Sequence, residues 1–235
     1  MIISRAAEQC GKADYGWLQA RYTFSFGHYF DPDLLGFASL RVLNQEVLAP
    51  GASFQPRSYP RVDILNIILQ GEAEYRDSNG NHTRAKAGEA LLLATQPNIS
   101  YSEHNTGSET PLTRLQLWLD ACPTRENQCL QRLQVEEQQP YQLIASPDES
   151  ANALHLRQQV WIHHVNLAAG EQHHLTLNGN RAYLQSIYGT LHINGNSAPI
   201  PSVLRCGDGA FVQQEKSLIV RAETAARALL IDLVV

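Results

Sequence analysis

The feature that most constrains this chain is that its second half repeats its first. Leu48-Ala49-Pro50-Gly51 is echoed by Leu167-Ala168-Ala169-Gly170, Gly71 by Gly189, and Gly88-Glu89-Ala90 by Gly207-Asp208-Gly209. Positions differ by 119 between Gly51 and Gly170 and between Gly88 and Gly207, and by 118 between Gly71 and Gly189. RLQLWLD, from Arg114, returns as RALLIDL, from Arg227. Two related domains follow.

Those domains are built of strands. VDILNIIL alternates as a half-buried strand does, FASLRVLNQEVL from Phe37 to Leu48 reads as another, and Leu112 to Asp120 supplies a further one before Ala121-Cys122-Pro123 breaks it. Ser78-Asn79-Gly80-Asn81 lies between EAEYRD and the segment from His82 to Ala87, and Asn-Gly tolerates the positive φ of a tight hairpin. Short strands separated by Gly and Asn turns fit a pair of jelly-roll barrels. From Pro123 to about Pro147 the chain turns polar and loses any period of two, as expected of a linker with room for a short helix. The expected organisation is therefore an N-terminal domain over 1–122, a linker over 123–147 and a C-terminal domain over 148–235.

With 235 residues, 43% of them hydrophobic, the chain can bury an ordinary globular core. A net charge of -5 and the lack of any basic run argue against a nucleic-acid surface. The apolar start MII is too brief for a signal peptide or a membrane span, so a cytoplasmic protein is expected. No long apolar helix or heptad demands a second chain, which points to a monomer. Cys10, Cys122, Cys129 and Cys206 form no CxxC pair and read as reduced thiols. Cys122 follows a strand and precedes Pro123, which makes it the candidate redox-responsive thiol, with Cys206 as its rival. The aromatics from Tyr15 to Phe30 read as core packing, and His28 among them as structural.

Two stretches concentrate polar residues at strand spacing. GASFQPRSYPRVDILNIILQG carries Arg57 and Tyr59, and GEALLLATQPNISYSEHN carries Tyr101 and Glu103. Members of each pair are two apart, so on extended backbone they share a face and the four can converge. Both stretches resemble the paired motifs of cupins in spacing. In the first motif, a Gly, His-x-His, a Glu and a closing Gly correspond to Gly51, Arg57, Tyr59, Asp63 and Gly71. In the second, Gly, Pro, His and Asn correspond to Gly88, Pro97, Tyr101 and Asn105. Within cupins the chain resembles the pirin family over essentially its whole length, most recognisably in YGWLQARYTFSFGHYFDPDLLGFASLRVLNQE from Tyr15 to Glu46. The resemblance implies an all-β bicupin, two cupin barrels in tandem. Typical pirins hold iron with three His and one Glu, and some are quercetin 2,3-dioxygenases. Those four slots fall on Arg57, Tyr59, Tyr101 and Glu103, of which only Glu103 keeps the family's residue type.

Arg is a permanent donor and cannot ligate a metal, and a phenol near pKa 10 ligates only if strongly acidified. The expected pocket is therefore free of metal and cofactor. Arg57 is expected to pair with Glu103, leaving a site for a small polar or aromatic ligand; the alternative is a quercetin 2,3-dioxygenase-type oxygenase with altered ligands. His163-His164 and His173-His174 offer at most one inward imidazole per pair and read as solvated or structural. His104 is expected to point away from Glu103. No Ser-His-Asp order or nucleotide fingerprint is present.

Overall fold

The computed structural model describes residues 1–149, 151–196 and 200–234. Among them the one helical element is the 3-10 turn Ala7–Gln9, and every other regular element is a strand. They form two compact units.

The first unit spans Gly11–Val135 and adds Leu154–Gln158. One sheet runs in the order Leu130–Gln134, Glu89–Ala94, Val62–Gln70, Leu112–Asp120, Leu40–Leu48, Leu18–Tyr22, Gly11–Asp14; the other runs Ser53–Ser58, Ser100–Asn105, Glu72–Asp77, His82–Lys86. Its strands pair antiparallel, and a core drawn from both sheets (Leu48, Ile64, Ile68, Leu91 and Leu112 from one; Ala73, Tyr75 and Ala85 from the other) closes the sandwich. Asn79 and Gly80 turn the expected hairpin, Gly80 at φ 86, with the Asp77 carboxylate accepting from the Asn79 and Asn81 amides. Val62–Gln70 departs from expectation, since Val62 through Ile68 are buried on both faces. The aromatic run divides: Tyr22 and Phe24 are core, whereas Phe30 is 72% exposed.

The second unit groups Met1–Cys10 with Glu136–Ala153 and the chain from Gln159 onward. Its larger sheet contains, in order, Ile2–Arg5, Gly209–Gln213, Arg181–Tyr188, Ala226–Leu233, Val160–Leu167 and Tyr141–Ser146; the smaller runs Gln172–Thr176, Ser217–Ala222, Leu191–Gly195, Ser202–Leu204. The N-terminal strand is fastened there by the Met1 ammonium on Glu215, 2.7 Å, and by the Ala7 amide on Asp208, 2.8 Å. The segment 123–147 carries two strands and no helix among its residues: Leu130–Gln134 pairs with Glu89–Ala94, and Tyr141–Ser146 with Val160–Leu167. Leu130–Gln134 is an edge strand with no fully buried residue, so its sequence shows no clean alternation. Leu154–Gln158 is held in the first unit by Arg157, whose Nε and amide donate to the two Asp63 oxygens at 2.8 and 2.7 Å. Asp63, at the Glu position of the first cupin motif, is thereby committed to structure.

The repeat is visible in backbone detail. Gly51 and Gly170 have φ of 70 and 81, Gly71 and Gly189 of 81 and 77, Gly88 and Gly207 of 86 and 86. A Cβ on Gly71 would press on the Pro111 carbonyl, and one on Gly189 on the Ala225 carbonyl, so only glycine fits either turn. Strand pairing corrects one detail: Leu112 faces Leu48 and Ala226 faces Leu167, so Arg114 corresponds to Ala228, one residue past Arg227.

Candidate functional site

The motif residues sit on Ser53–Ser58, just beyond it, and on Ser100–Asn105. Tyr101 faces Arg57 across this antiparallel pair, but an irregularity between Tyr101 and Glu103 brings Glu103 level with Phe54 instead of Gln55. Glu103 thereby drops into the barrel, 1% exposed, while Arg57 and Tyr59 remain only partly buried.

The expected Arg57–Glu103 ion pair does not form. Glu103 is met by Arg114, whose Nη2 lies 2.6 Å from its Oε2, and by Gln116 Nε2 at 3.3 Å from its Oε1. Arg114 is wholly buried and also donates to Glu46 Oε2 through Nε and Nη2, at 3.0 and 2.8 Å, and to the Tyr75 hydroxyl at 2.9 Å. Burial works against the guanidinium's charge, but Glu103, Tyr75 and Glu46 outweigh it and hold the group's pKa well above the usual arginine value. Gln116 continues the network to Asn66 Oδ1 at 2.9 Å, and its Oε1 accepts from Trp118 Nε1 at 3.0 Å. Arg57 instead donates Nε to the Tyr59 hydroxyl at 2.7 Å and lies over the Phe54 and Tyr59 rings, 5.0 Å from each centroid. Tyr59 stands edge-on to Trp118 at 5.1 Å and tilted to Tyr101 at 6.1 Å. Tyr101 accepts the Gln96 amide at 3.1 Å.

Both phenols are pushed toward the neutral form: Tyr59 by burial and then by the Glu103 charge, Tyr101 by burial first. Both oxygens of Glu103 already accept hydrogen bonds. The donor set thus does not fit the three imidazoles and one carboxylate that the family resemblance implies, because a guanidinium offers no lone pair, two neutral phenols are poor ligands, and the single carboxylate is already shared by Arg114 and Gln116. Among the described residues no three His, Cys, Asp or Glu side chains are placed to hold a metal ion.

Arg114, Glu46, Tyr75, Gln116 and Asn66 were not anticipated. Their signal is Arg114, Gln116 and Trp118 at a spacing of two, a polar stripe that ordinarily marks a solvated face. Other expected residues are placed as follows. His163 stacks on Tyr141, centroids 4.4 Å apart at 11°, and His164 accepts from Arg227 at 3.2 Å. Both are buried, and burial depresses each pKa to about 4, aided at His164 by Arg227. His104 bonds Ser102 at 2.9 Å. Cys122 is partly exposed, its Sγ 3.3 Å from Thr124 Oγ1, and its pKa is lowered first by that hydroxyl. Cys10 is buried, Cys129 is exposed, and the exposed Cys206 donates to the Ile187 carbonyl at 3.1 Å.

Two antiparallel barrels of the same plan in one chain define a bicupin. The sequence matches the family model "Pirin" over residues 3–119 and "Quercetinase C-terminal cupin domain" over 143–233. The chain belongs to the pirin family. It is 64% identical to the "Pirin-like protein YhaK" of Escherichia coli (strain K12), over 99% of both chains, and 31% identical to the "Quercetin 2,3-dioxygenase" of the same strain, again over 99% of both. The crystal structure of YhaK from Escherichia coli superposes with a TM-score of 0.82, covering 97% of this chain and 100% of that one. Bacterial pirin YhhW from Escherichia coli, solved in complex with nickel(II), superposes with 0.91 at 29% identity, covering 99% of each.

Proposed function

We propose that this chain is a metal-independent member of its family that binds a small polar or aromatic compound at the rim of the N-terminal barrel, without oxidising it. The observation that carries the reading is the pair of hydrogen bonds from Arg114 and Gln116 to Glu103, which engages both oxygens of the one retained ligand-type residue with the protein's own donors. A guanidinium fixed to two carboxylates supplies the positive charge that a cation supplies elsewhere in such a fold. At the rim, Arg57 uses Nε on Tyr59 and turns a cationic face beside Phe54, Tyr59 and Trp118, surroundings suited to a flat molecule with a polar edge.

The competing reading is a dioxygenase, favoured by the 31% identity to a protein named quercetin 2,3-dioxygenase. Metal analysis decides between them, on protein purified without chelator and again after loading with iron, manganese, copper or nickel. We expect far less than one ion per chain and no quercetin turnover. Stoichiometric metal, or turnover that disappears in Glu103→Ala, would overturn the proposal.

Two further expectations belong to the same reading. The protein works as a cytoplasmic monomer, and light scattering giving a dimer mass across dilution would count against it. Cys122 is its most oxidisable thiol, because it combines partial exposure with a lowered pKa. Mild peroxide and mass mapping should find it modified before Cys10 or Cys206.

A further inference from the structure

Arg57 is held in one orientation with half of its donors left open. Its Nε donates to the Tyr59 hydroxyl at 2.7 Å, and its guanidinium carbon lies 5.0 Å from the centroids of the Phe54 and Tyr59 rings. Those contacts use Nε and the flat face of the group, while Nη1 and Nη2 meet no acceptor among the described residues. In the same sheet Arg76 and Arg84 both reach the Glu74 carboxylate, at 3.0 and 3.4 Å, whereas Arg57 reaches none. Glu103 is not free to serve it, because Arg114 and Gln116 hold both its oxygens.

The surroundings add a flat apolar floor and a positive field. Trp17 meets Phe54 edge-on at 5.1 Å, and Tyr59 and Phe26 meet Trp118 edge-on at 5.1 and 5.5 Å. An edge-on contact covers one face of one ring only, so other faces stay open for stacking. Phe54, Arg57, Tyr59 and Trp118 are all partly exposed and Trp17 is 39% exposed, so a molecule in solution can reach them. Ser53–Ser58, which carries Phe54 and Arg57, is the edge strand of its sheet. The charges that act on the Tyr59 hydroxyl are those of Glu103, Arg57 and Arg114, two cations against one carboxylate.

We infer that the compound taken at this rim is a planar aromatic carboxylate of the benzoate type, an inference that rests on the rim-binding proposal and gives it a ligand class. With Nε committed to Tyr59, the Nη1 and Nη2 end of the fork presents parallel N–H groups to the two oxygens of a carboxylate. The ligand's ring then lies on the aromatic faces beside Arg57. An aliphatic acid would take the fork and leave those faces wet. A neutral ring would cover the faces and leave the guanidinium without an anion.

Calorimetric titration of the full chain with benzoate, benzamide and cyclohexanecarboxylate tests the assignment. Benzamide keeps the ring without the charge, and cyclohexanecarboxylate keeps the charge without the flat ring. Benzoate should bind saturably at one site, with each analogue weaker by about tenfold or more, the loss expected for one charge-assisted or stacking contact. Arg57→Gln, on a partly exposed position of an edge strand, should abolish detectable binding. Arg57→Lys keeps the charge but not the fork and should weaken binding by about tenfold. Arg221→Gln, which alters an exposed arginine of the other barrel, should leave it unchanged. The inference is overturned if either analogue binds as well as benzoate, or if Arg57→Gln binds benzoate like the parent. Benzamide binding that matches benzoate's and is lost in Arg57→Gln would remove the carboxylate and leave the rim-binding proposal standing. No saturable signal from any of the three at about 10 mM, a weak limit for a specific site, would remove both.

Discussion

The two barrels share a backbone plan and differ in what fills them. In the N-terminal barrel Arg114 faces Glu46, Gln116 faces Asn44 and Asn66, and Glu103 faces Tyr75. At the corresponding pairings of the C-terminal barrel, Ala228 faces Val165, Leu230 faces His163 and Leu184, and Val220 faces Ile193. A network of buried charge and hydrogen bonds in one repeat is thus almost wholly aliphatic in the other. The fold does not require the polar interior, since the same plan is built without it in the second repeat. Burying charge is tolerated only when each group is paired, and every charged member of the N-terminal network is.

The largest expected effect separates the two interiors directly. Arg114→Met strands Glu46 and Glu103 without a cation and should cost about 3–5 kcal/mol in urea denaturation, or prevent folding. Arg227→Met removes an arginine 26% exposed, near His164 and Glu137, and should cost about 1 kcal/mol or less. Adding Glu46→Val and Glu103→Val to Arg114→Met copies the aliphatic interior of the other repeat and should recover most of the loss. Equal costs for the two single substitutions would break the comparison.

That contrast was only half legible in the sequence. Gly51, Gly71 and Gly88 and their partners in the second half could be read because each marks a turn that only positive φ closes, and composition alone reports it. The interior could not, because RLQLWLD and RALLIDL align by likeness at Arg114 and Arg227, while the ladder aligns Arg114 with Ala228. A slip of one residue sends every side chain to the opposite face. Arg57 was paired with Glu103 for a related reason: motif spacing assumes regular strands, and the irregularity between Tyr101 and Glu103 carries the carboxylate away from the rim. Arg114 lies outside both motifs, so only three-dimensional pairing shows that it satisfies Glu103.

A second, smaller effect should appear only in the C-terminal barrel. His163 and His164 are buried and neutral, with pKa near 4 against an unfolded value of 6.5. Between those values the unfolded chain binds protons that the folded chain refuses, so stability is fully present above pH 6.5 and falls as pH drops toward 4. Each histidine contributes up to about 3 kcal/mol to that slope, and His164→Leu should flatten it by one histidine's share. Melting followed from pH 7 to 4.5 measures it. Because burial raises the Asp63 and Asp232 carboxyls and tilts the parent profile the other way, the deciding reading is the difference: a His164→Leu profile parallel to the parent's would show that this imidazole is not kept neutral.

The smallest effect concerns the rim of the N-terminal barrel and asks where the polar network ends. The Tyr59 hydroxyl accepts from Arg57 Nε at 2.7 Å, on the rim side of the Arg114, Glu103 and Gln116 network. If the network stops at Glu103, Tyr59→Phe removes one hydrogen bond to a partly exposed guanidinium that water can replace, and the cost should be about 1 kcal/mol or less. The edge contact of the ring with Trp118 survives in Phe, so tryptophan emission should change little. Binding of a flat polar compound at the rim should weaken more than stability does, because Arg57 loses the contact that orients it beside the rings. A stability cost above about 2 kcal/mol would instead match the removal of a buried network member, and would extend the polar interior from Arg114 out to Arg57.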